Sequence, residues 1–383
     1  IYVSFDDGDN WQSLSLNLPD TQVSDIVVED HDLVIATHGR SFYVLDDIAA
    51  LRQLTPEVAQ SAVLHVFTPE AGVRRARPVA VDYFLKSKSD KVTIDILDGQ
   101  GKQVRSFTGN PENQKKTEGA EEENEPAAEA ASVKPEDTKT VEAKKKGESK
   151  PVVKEDEYGP KPPKIGLAAG LNRFTWDMRY PGATVFPGMI MWGAQPKNGP
   201  FALPGSYQAR ITANGQTQTV PFALTEDPRV KSSAADLKAQ FDLDTQVRDK
   251  VSQANEAVIQ VRKLRDQLDD RMKKSSAPFD PSATAFRQKL TEVEEAIYQV
   301  KNRSSQDPLN FPIKLNNKIG HLSEVIESAD SKPTDQTYAA FKELAAELDV
   351  QLNTLHQLIT NDLPAVNQSL KSAKLAPISA TGE

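Results

Sequence analysis

Apolar and polar positions change rhythm once along the chain. Before about residue 227 they alternate in short runs; from Lys231 onward they recur at steps of three and four. In the first part, DIVVE (Asp25 to Glu29), LVIAT (Leu33 to Thr37) and SFYVLDD (Ser41 to Asp47) read as strands separated by the polar turns DHD and HGR. The runs VDYFLKS, KVTIDILD and QVRSFTG keep the same period, with Asp98-Gly99-Gln100-Gly101 supplying a hairpin turn. GLNRFTWDMRYPG and LPGSYQARITANGQTQTVPFALTEDPR follow, and Asn214-Gly215 is a two-residue hairpin signal. Short strands at this spacing predict a β-sandwich.

The second part carries four helical stripes. They are Val247, Val251, Ala254, Val258 and Val261; Phe286, Leu290, Val293, Ile297 and Val300; Leu315, Ile319, Leu322 and Ile326; and Phe341 through Leu344, Leu348, Leu352, Leu355 and Ile359. Ser233-x-x-Asp236 has the form of a capping box with Asp in place of Glu, and Pro281 suits a first helical turn. Short connections between such helices predict an antiparallel, up-and-down bundle. The expected organisation is multidomain β plus α: a sheet over 1–48, a connector over 49–64, a sandwich over 65–227 and a helical bundle over 228–383.

One stretch has neither period. Residues 110–164 are almost wholly Glu, Lys, Ala and Pro, with too little apolar area to offset chain entropy, so they are expected to form a disordered insertion in the sandwich. The chain of 383 residues has a net charge of −9, which argues against a nucleic-acid partner; the glutamates interleaved with AKKKGESK argue the same way. With no cysteine, disulfides and thiolate metal sites are excluded. No apolar run reaches the ~20 residues of a membrane span. The sequence opens on IYVSF, already strand-like, without an initiator Met or a signal-peptide pattern. The expectation is therefore the C-terminal part of a longer protein.

The segment SFDDGDNW concentrates acidic residues. Asp6, Asp7 and Asp9 could mean a calcium loop, a catalytic carboxylate pair or a turn. A calcium loop of the EF-hand type needs a bidentate Glu twelve residues on, which is missing, and a hairpin tip offers no cleft for catalysis. The turn reading gives each residue a role. Ser4 and Asp6 accept turn N–H groups, Gly8 permits positive φ, and Trp11 covers the turn.

Ser4-x-Asp6-x-Gly8-x-x-Trp11 resembles the Asp-box, the bacterial neuraminidase repeat of sialidases and sortilin-like β-propellers. DIVVEDHDLVIATHGRSFYVLDD resembles the last strands of the final blade in large bacterial proteins of that class, often labelled glycosyl hydrolases. The resemblance implies that residues 1–48 are a C-terminal propeller blade and that the Asp-box is a structural hairpin away from the ligand face. DILDGQGKQVRSF, GLNRFTWD and PGSYQARI resemble the immunoglobulin-like domain of flagellar hook-capping proteins and of bacterial secretion-associated C-terminal domains. The helical stretch resembles the C-terminal region of the same propeller proteins. The resemblance thus implies the non-catalytic recognition and scaffold portion of a secreted or periplasmic protein. Its partners would be upstream blades of the same chain and a protein or glycan ligand. The alternative is an accessory region of a sialidase-like glycoside hydrolase whose site lies upstream. Such chemistry needs paired carboxylates or a tyrosine nucleophile, and Asp46 and Asp47 have no assignable partner.

Two further groups are candidates. His38-Gly39-Arg40 is a polar turn whose His38 and Arg40 could face a ligand, or could simply flank a Gly-centred turn. VFPGMIMWG places Phe186, Met189, Met191 and Trp192 between Pro-Gly turns; so apolar a loop is expected to pack on a neighbouring domain or to form a partner patch. Neither His321 nor His356 follows a carboxylate by three residues, so no di-iron pattern arises. No cofactor or metal is expected.

Overall fold

A computed structural model describes residues 1–111, 163–274 and 281–380. Of the insertion expected over 110–164, residues 112–162 lie outside the described residues. The chain is mixed β plus α, with several sheets followed by a helical region.

At the N-terminus, β1 (Tyr2–Val3) pairs with β2 (Gln12–Ser13) as a separate two-stranded hairpin. Beside it, β3 (Val23–Glu29), β4 (Asp32–Thr37) and β5 (Phe42–Leu45) form an antiparallel three-stranded sheet. The sheet expected over 1–48 is therefore two sheets, because β2 pairs only with β1. Register places Ile26, Ile35 and Tyr43 in one row and Val28, Leu33 and Leu45 in the next, all on one face. Val27, Val34 and Val44, with Ala36 and Phe42, share the other face, since side chains alternate along a strand. Two short helices follow, α1 (Ala49–Gln53) and α2 (Pro56–Ser61); Thr55 caps the second by accepting from the Val58 N–H, and Pro56 takes its first turn.

The middle of the chain builds two facing sheets. One has the order β10-β9-β14-β15-β7, from β7 (Gly72–Val73), β9 (Val92–Asp98), β10 (Gln103–Gly109), β14 (Gly205–Ala213) and β15 (Gln216–Thr225). The other has the order β11-β8-β6, from β6 (Leu64–Val66), β8 (Val79–Leu85) and β11 (Gly170–Trp176). Alternate residues of both sheets meet in one core that includes Val81, Tyr83, Ile94, Ile96, Phe174, Trp176, Ile211 and Phe222. Asn214 and Gly215 both take positive φ, as a tight hairpin between β14 and β15 requires. Asp98 fixes the other hairpin by accepting the N–H groups of Gln100 and Lys102 at 3.0 and 2.9 Å. The ribbon of β12 (Arg179–Pro181) and β13 (Asn198–Phe201) carries the Met/Trp loop between its strands.

The helical region starts at α3 (Ala234–Lys274), whose first turn holds the capping box: Asp236 N–H donates to Ser233 Oγ, and Ser233 N–H donates back to the Asp236 carboxylate. Helices α4 (Pro281–Ile297) and α5 (Leu315–Ile326) both run antiparallel to α3, one after the other. Arg287–Asp269 and Arg262–Glu294 contacts align α4 with the far half of α3, and Asn316–Asn255 and Gln240–Ile326 contacts align α5 with the near half. Helix α6 (Asp335–Gln357) returns, passes through a π-turn at Leu358–Asp362, and continues as α7 (Leu363–Ser372). Pro364 lacks an N–H, and the wider turn just before it accommodates that loss. The predicted stripes thus make a bundle with three legs, α4 and α5 sharing one of them.

Candidate functional site

The Asp-box segment folds as a self-contained turn. Gly8 N–H donates to Ser4 Oγ at 2.7 Å, and Ser4 Oγ–H donates to Asp6 Oδ1 at 2.9 Å. Asp6 accepts from the Asn10 N–H at 2.8 Å and from the Asn10 carboxamide at 2.6 Å. Hydrogen bonds from Asn10, side chain and backbone, and from Ser4 hold the Asp6 carboxyl below its ordinary value. Asp7 and Gly8 have φ of 59° and 99°, and Trp11 lies against the turn at Gly8 while staying largely exposed. Among the described residues no three His, Cys, Asp or Glu side chains gather as a metal would need.

His38 and Arg40 sit at an exposed turn between β4 and β5. Its geometry comes from the backbone: Thr37 N–H and Oγ1 both donate to the Ser41 carbonyl, and Gly39 and Ser41 have positive φ. The Asp47 carboxylate accepts the Ala49 N–H at 3.0 Å, and Asp46 and Asp47 both offer their carbonyls. Arg173 of β11 donates to both of them while its guanidinium grips buried Asp82 at 2.8 Å through two nitrogens. This arginine ties the N-terminal sheet to the two-layer unit. Asp82 raises the Arg173 pKa above its ordinary value through the side-chain hydrogen bonds.

The loop between β12 and β13 crosses to the helices. Phe186 is buried in the helical core, edge-on to Tyr298 at 5.0 Å, with the Arg262 guanidinium over its ring at 4.6 Å. Met189 packs on the same core, and Met191 reaches Gly320 of α5, where a Cβ would lie 3.0 Å from its terminal methyl. The Asn317 carboxamide clasps the Trp192 peptide in both directions, accepting its N–H at 2.7 Å and donating to its carbonyl at 2.8 Å. The Trp192 ring itself remains 40% exposed. Thr184 is held the same way by Ser252 and Asn255 of α3.

Sequence reasoning missed two features. The first is the seam beneath this loop. Arg74 is buried with its guanidinium on Asp330, on Gln240 at 3.1 Å and on the Ala202 carbonyl at 3.1 Å. Burial, with Arg75 alongside, pushes its pKa down to about 10. Arg179 lies 3.5 Å over the Phe201 ring and meets both Glu327 oxygens at 2.9 and 3.0 Å. Asp244 of α3 lies beside Glu327 and Ser323, and burial followed by the Glu327 charge pushes its pKa up to about 7. The run VRRAR was the visible signal for half of this seam; the acidic partner of Arg74, Asp330, is 256 positions away.

The second is the open apolar surface of the N-terminal sheet. Phe42 is 73% exposed, Val44 53% and Val27 49%, and Ile26 and Val28 on the opposite face are half exposed as well. A cavity of about 650 Å³ opens on that opposite face between Ile26, Leu33, the β1–β2 hairpin and α1.

No protein-family model matches the chain, and no curated protein matches it. One solved structure, described as "pT26-6p", aligns over 87% of this chain and 91% of its own length, at 8% identity and a TM-score of 0.11. At that score the likeness carries no argument about fold or function.

Proposed function

We propose that this chain is a non-catalytic recognition and scaffold portion of an exported β-propeller protein. In this reading the N-terminal sheet is a propeller blade, and neighbouring blades cover its apolar faces. An immunoglobulin-like sandwich and the helical bundle then extend from the propeller as an arm that presents a surface to a protein or glycan. The observation that carries the reading is the apolar row Val27, Val44 and Phe42 left open on a sheet that is otherwise regular. Burying each such side chain is worth about 1.5–3 kcal/mol, so a covering surface would add much to a small sheet. A monomer rarely leaves a contiguous patch of this kind in water. The hydrogen-bonded Asp-box turn supports the blade reading, and the Arg173 clamp supports an arm joined to it. Export rests on the family resemblance and on the sandwich type.

The test is carbene footprinting of the protein in its longest natural form. Val27, Phe42 and Val44 should be protected there and labelled in the 383-residue chain. Equal labelling in both would reject the blade reading.

A further inference from the structure

Among the described residues, the seam between the two-layer unit and the bundle holds a carboxyl group, Asp244, that makes no ion pair. Asp330 takes Arg74 and Arg75, and Glu327 takes Arg179. Asp244 is buried, and its Oδ1 has no hydrogen-bond partner among the described residues. The groups facing it are the Ser323 hydroxyl from α5, Glu327 just past the end of that helix, and Arg179 from β12. On its own helix the next arginine, Arg248, is held by Asp249 and the Pro181 carbonyl. Arg75 is part-exposed, so water screens its charge. Burial, followed by the Glu327 charge beside it, favours the protonated form of Asp244.

We propose that Asp244 holds a proton in the closed seam, and that losing it lets the bundle swing away from the two-layer unit about the Met/Trp loop. The proton balance is simple: one proton leaves Asp244 for solvent as the seam opens, and water solvates the carboxylate. The loop supplies the pivot, because its anchors are mostly uncharged: Phe186 in the helical core, the Asn317–Trp192 clasp and the Asn255–Thr184 bond. Opening is then a hinge motion that leaves both cores folded. None of this depends on the propeller reading.

The sign follows from linkage. Asp244 binds its proton more tightly in the closed seam than in the open one, so acid favours closure. The closed state is fully favoured below the ordinary aspartate value of 3.8 and loses that advantage as pH rises to about 7. Above that point the effect is complete.

The test is amide exchange at fixed pH steps, corrected for intrinsic rates, read at residues 240–248, 323–330 and 199–202. The opening equilibrium of the wild-type protein should rise with pH by up to about tenfold per unit below neutrality and then level off. Asp244→Asn should remove the slope and keep the seam closed throughout. His321 touches the Gly193 carbonyl at the loop's end and provides the control: His321→Gln should leave the slope intact. A flat wild-type profile, or a slope that survives in Asp244→Asn, overturns the proposal. Should that variant fail to fold, carboxyl-carbon NMR of the wild-type protein decides: an Asp244 midpoint at the ordinary aspartate value overturns it too.

Discussion

Val81, Tyr83 and Leu85 on β8 and Val27, Phe42 and Val44 in the N-terminal sheet are residues of the same kind in strands of the same kind. The first three are wholly buried, whereas the second three are about half exposed or more. In the two-layer unit each sheet provides the other's cover, so alternation closes a core without outside help. The three-stranded sheet has helix α1 and a hairpin near one face, and among the described residues no layer buries the other. Alternation therefore states which side chains want burial, and only a second layer decides whether they obtain it. The Arg173 clamp and the mutual Gln53–Thr68 bonds attach the open sheet to the closed unit without covering it.

Two of the three tryptophans give the sharpest contrast. Trp176 is fully buried, packs its ring at 5.4 and 5.9 Å from Tyr207 and Phe222, and donates its N–H to the Arg179 carbonyl. Trp176→Ala should cost about 3–5 kcal/mol in chemical denaturation. Trp11→Ala should change stability by less than about 0.5 kcal/mol, since its ring lies mostly in water. A large loss from Trp11→Ala would mean that the N-terminal sheet is as closed as the two-layer unit.

A smaller effect is expected at the loop. Asn317→Ala leaves both polar groups of the Trp192 peptide unpaired, which should cost about 1–3 kcal/mol and speed exchange at residues 184–193. No change there would mean that Phe186 alone anchors the loop.

Phe42→Ala should be near neutral in this chain, within about 0.5 kcal/mol, and should reduce binding of a hydrophobic dye. A strong loss of stability would contradict the open face.

The smallest effect is local to the Asp-box turn. Asp6→Ala should release the Asn10 amide, seen as a shift of its NMR resonance, while the two-layer unit is unmoved. In the wild type, the order that Asp6 gives the turn is present above the ordinary aspartate value and lost as pH falls through its lowered one. The Asn10 resonance should therefore titrate with a midpoint below 3.8. A midpoint at or above that value would contradict the turn's hydrogen bonding.

Local features are legible in the sequence itself. Asn214-Gly215, the Asp98 turn, the Ser233–Asp236 box and the Ser4–Asp6 turn each depend on neighbours within a few positions. The helical stripes are legible for the same reason. Their arrangement is not: nothing in the periodicity of α4 and α5 says that both lie along one long α3, and α7 follows a π-turn that period counting does not see. The seam is hidden because Arg74 meets Gln240 and Asp330 across most of the chain. The carboxamide clasps are hidden too. Gln53 on Thr68, Gln218 on Leu64 and Val66, Asn317 on Trp192 and Asn367 on Ile378 each pair a side-chain amide with a distant backbone. Asn and Gln look alike on any polar surface, and only the fold shows which of them carry a joint.

Native-state amide exchange across β3 to β5 and across β8, β9 and β14 tests the central claim most directly. If the N-terminal sheet lacks a covering layer, Ile26, Val27 and Val34 should exchange through local opening, at least about a hundredfold faster than Ile94, Ile96 and Ile211 after intrinsic correction. Equal protection of the two sets would contradict the account, because the sheet would then be as stable alone as the closed unit beside it.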